Sequence, residues 1–175
     1  MPALWIAATL LTTLAQGQPP STQVLATAEA PIVTTAIVDA DVKEVWKAWT
    51  TGEGIRSWMV AAGEVDLRIG GHLKTSYTKG SDLTGQDVIV NTILAYDPER
   101  MLTIRNTRFP ASFPFKEAMP KTWTVIYLTP HGEHKTEVVV RMNGYDQTEE
   151  SQKMKAFFRQ GNQMTLDALV KRFKK

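Results

Sequence analysis

From Pro31 onward, apolar and polar positions alternate in blocks that change period along the chain. Ile32-Val33-Thr34-Thr35-Ala36-Ile37-Val38 is rich in β-branched residues and stops at Asp39, which predicts a strand. Asp41 and Glu44 then stand at capping-box spacing, and Val42, Val45, Trp46 and Trp49 recur at steps of three and four. A helix capped by Asp41 and ending near Thr50 is expected. Gly52 and Gly54 interrupt it, and a second short helix should follow around Ile55 to Met59.

Beyond residue 63 the period becomes that of strands separated by turns. Glu64 to Ile69 ends at Gly70-Gly71, a pair suited to a tight hairpin, with His72 to Tyr77 as the return strand. After the turn Gly80-Ser81-Asp82, Val88 to Tyr96 and Met101 to Arg108 flank Asp97-Pro98. Phe109-Pro110-Ala111-Ser112-Phe113-Pro114-Phe115 cannot pair regularly because of its prolines, yet its phenylalanines favour burial, so it reads as a packed flap. Lys121 to Leu128 and Lys135 to Met142 form a last hairpin around Pro130-His131-Gly132-Glu133. Trp123, Val125 and Tyr127 share one face of its first strand.

Glu149 to Phe173 has the period of one long helix. Its expected buried face carries Met154, Phe157, Phe158, Gly161, Met164, Ala168 and Leu169, with Asp146 and Glu149 as cap and Lys171, Arg172, Lys174 and Lys175 at the cationic end. The order is strand, two helices, six strands, long helix. That is an α+β arrangement in which only the last helix is long enough to cover an antiparallel sheet of about seven strands.

The N-terminal stretch differs from the domain. No Lys or Arg precedes Lys43, and residues 1–28 contain no charged side chain. The apolar run Leu4 to Ala15 is shorter than the ~20 residues of a membrane span and ends at Ala15-Gln16-Gly17, the small-x-small pattern of a cleavable leader; Ala26-Thr27-Ala28 is a second such triplet. The expected organisation is a signal peptide over 1–17, a Pro19-Pro20-containing linker over 18–30 and a folded domain over 31–175. Localisation is then periplasmic or secreted, with no stable membrane span once the leader is removed. A buried N-terminal helix and a retained anchor are the alternatives.

Composition narrows the chemistry. Across 175 residues, 20 Lys plus Arg against 18 Asp plus Glu give a net charge of +2, too weak a field to draw the chain to nucleic acid. The chain has no cysteine, which excludes disulfides, thiolate metal sites and cysteine nucleophiles. Three histidines leave little from which to build a metal site: His131 and His134 fall on a hairpin tip with no third ligand in view, and His72 reads as structural. Nucleophile elbow, phosphate loop, dinucleotide fingerprint and His-Glu-x-x-His are all missing, and Glu149-Glu150 point about 100° apart on a helix. No residue pair demands an enzyme.

Several segments carry a family resemblance. Ile37-Val38-Asp39-Ala40-Asp41, Val45-Trp46-Lys47-Ala48-Trp49-Thr50, Trp58-Met59, Asp66-Leu67-Arg68-Ile69-Gly70-Gly71-His72 and Tyr96-Asp97-Pro98-Glu99-Arg100-Met101-Leu102 resemble, in order, the motifs of the homologues of the activator of the heat-shock protein 90 ATPase. That family lies within the START, birch-pollen-allergen and polyketide-cyclase superfamily. The resemblance spans about residues 31 to 174 and departs at Gly161-Asn162-Gln163, where family members commonly carry a Gly-Trp pair. It implies a helix-grip fold, a curved sheet around the C-terminal helix with a cavity between them. No cofactor is expected.

Large apolar side chains with a few polar groups make ligand pockets. The cavity candidates are Trp58, Met59, Phe109, Phe113, Trp123, Tyr127, Phe157 and Met164, with Tyr77, Arg105, Tyr145 and Asn162 for polar contacts. The expected activity is non-enzymatic binding of a small hydrophobic molecule or lipid. A cyclase- or hydrolase-like enzyme using the same cavity is the alternative; a co-chaperone module fits less well with export, because that partner is cytosolic. Mass spectrometry of protein from its own host should find a mature N-terminus after Gly17 or Ala28; exported protein retaining Met1 would contradict cleavage.

Overall fold

The computed structural model describes residues 29–174; the leader and most of the linker expected from the sequence lie outside them. Strand β1 (Ile32–Val38) is followed by helices α1 (Val42–Thr50) and α2 (Gly52–Arg56). Strands β2 (Ala62–Val65), β3 (His72–Ser76), β4 (Ile89–Asp97), β5 (Met101–Arg108), β6 (Trp123–Pro130) and β7 (Thr136–Asn143) come next, and helix α3 (Glu149–Phe173) closes the chain. All strands pair antiparallel in one seven-stranded sheet of order β1-β7-β6-β5-β4-β3-β2. The first strand thus closes against the last, and β2 forms the far edge.

Side-chain parity builds the core. Ile32, Thr34 and Val38 of β1, Ile126 and Leu128 of β6, and Thr136, Val138, Val140 and Met142 of β7 are buried on one face of the sheet, with their neighbours in sequence more exposed. Val45, Trp46 and Trp49 of α1 and Leu166 and Leu169 of α3 pack onto this face with Ile93 and Leu102. A second cluster at the other end of α3 joins Ile32, Met119, Met142, Tyr145 and Met154, with the flap phenylalanines against it.

The buried stripe of α3 differs from the expected one. Ser151, Met154, Leu166 and Leu169 are its buried residues, whereas Phe157 and Met164 are 55% and 64% exposed. The helix is rotated so that the predicted arc straddles its edge.

Local chemistry explains three further differences. The second helix starts at Gly52 rather than near Ile55: Thr51 Oγ1 accepts from the Gly54 N–H at 2.9 Å, and a Cβ on Gly54 would stand 2.1 Å from the Lys47 carbonyl oxygen. The glycines that read as breaks allow the two helices to abut. Only Ala62–Val65 pairs with β3, and Gly70-Gly71 makes no two-residue hairpin. Instead the Gly70 N–H bonds Ile93 O at 2.8 Å and the Ile93 N–H bonds Gly71 O at 2.9 Å, docking the loop on β4.

Neither expected acidic cap acts as one. The Asp41 carboxylate lies 3.1 Å from His134 Nδ1, and Glu44 pairs with Lys47 at 2.9 Å. At α3 the capping side chain is Thr148, whose Oγ1 accepts from the Ser151 N–H at 3.3 Å. Asp146 sits behind it, accepting from the Thr148 hydroxyl and from its N–H at 3.0 Å, and pairing with Lys121 at 3.0 Å. Glu29, expected in the linker, is tied to the domain: its carboxylate takes Lys155 at 2.8 Å and its N–H bonds Tyr145 O at 3.2 Å.

Two contrasts test this framework. Gly54→Ala should destabilise the fold by about 1–3 kcal/mol through overpacking against backbone, and Gly161→Ala, whose Cβ meets nothing within 4 Å, should stabilise it by about 0.5–1 kcal/mol in urea melts. The Thr148 hydroxyl first, and then Lys121, hold the Asp146 carboxyl well below the ordinary carboxylate range. A folded-state value depressed below that of the unfolded chain adds stability at neutral pH that fades as pH falls through the folded value. Asp146→Asn should therefore melt below the parent near neutrality, with the gap narrowing below about pH 4.

Candidate functional site

The sheet is too wide for α3 alone to cover, and the uncovered part of its inner face forms a cavity of about 500 Å³. Inward residues of five strands make its floor: Leu73 and Thr75 of β3, Ile89 and Asn91 of β4, Ile104 and Asn106 of β5, Thr124 of β6 and Met142 of β7. Phe157, Phe158 and Asn162 of α3 lie across it, Trp49 and Met59 close one end, and the flap contributes Phe109, Pro110, Ser112, Phe113 and Pro114. A second cavity of about 390 Å³ shares Met59, Tyr77, Phe157, Phe158 and Asn162 with the first and adds Trp58, Gly161, Met164, Thr165 and Ala168. Both lie in the size range of small-molecule sites.

Aromatic packing shapes the walls. The Phe113 ring lies 5.2 Å from Phe109, 5.4 Å from Phe115, 6.4 Å from Phe157 and 6.2 Å from Phe158, at tilted or edge-to-face angles that suit ring quadrupoles. The flap that carries it is fastened to α3, because Glu150 Oε1 accepts the Glu117 and Ala118 N–H groups at 3.0 and 3.2 Å. Proline turns thus become a wall.

Polar groups in the lining are few and uneven in their satisfaction. Trp49 and Trp58 meet edge-on at 4.8 Å, and the Trp58 indole N–H donates to Ala48 O at 3.0 Å. The Trp49 indole nitrogen has no partner within the protein, and neither do Asn106 Oδ1 and Asn162 Nδ2. All three of these buried atoms belong to side chains lining the larger cavity. Among the described residues, neither lining includes an Asp, Glu, His, Lys or Arg.

The structure sorts the sequence candidates by strand parity. Met59, Phe109, Phe113 and Phe157 line the larger cavity, Trp58 and Met164 the smaller, and Tyr77, 73% exposed, stands at the rim of both. Asn162 borders both. Arg105, Trp123 and Tyr127 do not line either cavity: Trp123 and Tyr127 are 36% and 42% exposed, on the opposite face of β6 from Ile126 and Leu128, and Arg105 points outward between Ile104 and Asn106. Both faces of β6 carry large apolar residues, so alternation alone does not say which one turns inward. Tyr145 is buried core, with its hydroxyl 2.9 Å from Met142 Sδ, the Lys155 ammonium 5.6 Å from its ring centroid, and its ionisation pushed up by burial.

Sequence reasoning missed Trp49, Thr75, Asn91, Asn106 and Thr124. The signal lay in the alternation itself: Leu102-x-Ile104-x-Asn106 and Ile89-x-Asn91-x-Ile93 each put an amide where the pattern asks for an aliphatic residue, and the two Asn are paired in register. The histidines serve elsewhere, His72 with Glu64 at 2.7 Å and His134 with Asp41. Among the described residues there is no cluster of three or more metal-ligating side chains, and no helix is long and apolar enough to cross a membrane.

A curved antiparallel sheet gripping one long helix over a cavity is the helix-grip fold, and solved structures share it. Protein MLL2253 from Mesorhizobium loti is 16% identical with a TM-score of 0.62, covering 81% of this chain and 95% of its own. The Aha1 dimer from Colwellia psychrerythraea is 15% identical with a TM-score of 0.63, covering 83% and 96%. CalU16 from Micromonospora echinospora is 24% identical with a TM-score of 0.58, covering 82% and 76%. The family model for Activator of Hsp90 ATPase homolog 1-like protein matches residues 39–174, and the chain belongs to that family. It has no match among curated protein sequences.

Proposed function

We propose that this protein binds a small, largely apolar molecule in the cavity between the sheet and α3, and that it does so without catalysing a reaction. The observation that carries the reading is the lining: two adjoining cavities walled by aromatic and aliphatic side chains with Tyr77 as their one ionisable residue among the described ones. Acid–base chemistry needs titratable groups within reach of the reacting atoms. Burial of apolar ligand surface needs only the walls that are present. Family membership supports a ligand-binding or cyclase-like module and does not by itself choose between them. The uncharged apolar leader supports a site of action outside the cytosol.

Filling the cavity tests the reading. The uncharged dye Nile red should bind saturably at one site, and Thr124→Phe, which adds a ring to the cavity floor, should weaken that binding at least about tenfold with stability unchanged or raised. Tyr127→Ser, on the outer face, should leave binding unaltered. Native mass spectrometry of protein from its own host should show a co-purifying organic molecule. Non-saturable dye uptake, or uptake indifferent to Thr124→Phe, would sink the proposal.

A further inference from the structure

Among the described residues, one glycine has neither a conformational nor a packing reason to be glycine. Gly161 stands in the middle of α3, where glycine weakens a helix relative to alanine. Its backbone is not in the left-handed region, and a Cβ placed on it would meet no described atom within 4 Å. Gly54 and Gly63 could carry a Cβ only at 2.1 Å from the Lys47 carbonyl oxygen and at 2.5 Å from Ile55 Cδ1. A glycine inside a regular element suits a place where something approaches the backbone closely. At Gly161 the described residues supply nothing that does.

The gap opens into the smaller cavity. Gly161 and Ala168 line it, and neither borders the larger one. Between them Thr165 donates its hydroxyl to Gly161 O at 2.9 Å, so this stretch of helix asks for no polar partner in the cavity. Met59, Tyr77, Phe157, Phe158 and Asn162 belong to both linings, and the two hollows of about 500 and 390 Å³ therefore meet along a common wall. At about 3.6 residues per turn, Gly161, Met164 and Ala168 lie about 100° round α3 from Phe158 and Asn162. A molecule that reaches from one hollow into the other must turn around the flank of the helix, over Gly161. A jointed aliphatic chain can make that turn; a rigid ring system long enough to fill both hollows cannot.

We infer that the two cavities are the arms of one bent site for a single flexible apolar chain, and that Gly161, by leaving α3 without a side chain at the turn, sets how long a chain the protein accepts. This inference rests on the larger cavity being a binding site. A side chain at position 161 would strengthen the helix and close the second arm, so stability and chain length pull in opposite directions at this one residue.

A series of primary alcohols from octanol to hexadecanol, read by displacement of Nile red, tests it. For the parent, affinity should rise about threefold or more with each added methylene until both arms are filled. Gly161→Leu should bind octanol, short enough for the larger arm alone, within about twofold of the parent. Its affinities should stop rising several methylenes earlier, leaving hexadecanol bound at least about tenfold more weakly than by the parent. Ala168→Leu, farther along the same arm, should shift the limit in the same direction, and thermal melting should show both variants folded, with Gly161→Leu at or above the parent. Thr124→Phe, in the other arm, should weaken octanol and hexadecanol alike. If folded Gly161→Leu and Ala168→Leu keep the parent's length limit, or if Gly161→Leu weakens octanol as much as hexadecanol, the inference is overturned; the loss in Thr124→Phe would leave the binding reading standing. If neither Nile red nor any alcohol binds the parent, the binding reading itself falls and the inference falls with it.

Discussion

A geometric shortfall governs this molecule. Seven strands at about 4.8 Å spacing make a sheet nearly 30 Å across, and a single helix with its side chains is only about 10–12 Å wide. One 25-residue helix cannot seal such a face, however curved. The remaining surface needs other cover, and the chain provides it piecemeal: α1 with its tryptophans over one region, and a proline-punctuated flap of phenylalanines over another. Between these covers, the inner face of β3 to β7 borders a hollow.

That constraint separates what was legible in the sequence from what was not. Element order and the bounds of β1, α1 and α3 could be read because each depends on periodicity along its own segment. The inward face of β6 could not, since Trp123, Val125 and Tyr127 are as apolar as Ile126 and Leu128 and only pairing with β5 and β7 decides between them. Caps failed for a related reason. Asp41 and Asp146 stand at proper cap spacing, but His134, 93 residues away, and Lys121, 25 residues away, take up their carboxylates once the chain folds. Local spacing describes an opportunity, and tertiary neighbours choose whether it is used.

The candidate site was half legible on the same terms. Met59, Phe109, Phe113 and Phe157 announced themselves as large apolar side chains. Asn106 and Asn162 did not, because an isolated amide inside an apolar alternation reads first as an imperfection of the pattern. Their meaning depends on the atoms around them, above all on a lack of hydrogen-bond partners that no one-dimensional pattern reports. In a fold held together without disulfides, with net stability of order 5–15 kcal/mol, three such groups are a sizeable concession.

Helix α3 is anchored in the core at both ends, and between them it rests on the flap through Phe157 and Phe158. Ser151 and Met154 hold one end in the core and Leu166 and Leu169 the other, with no fully buried residue in the three turns between. A fluctuation that opens one of those middle turns breaks backbone hydrogen bonds but draws no fully buried side chain into water. Local opening is therefore least costly directly above the hollow and most costly at the two moorings. The stretch of α3 that borders the two cavities is therefore the one that can shift without uncovering the core at either end.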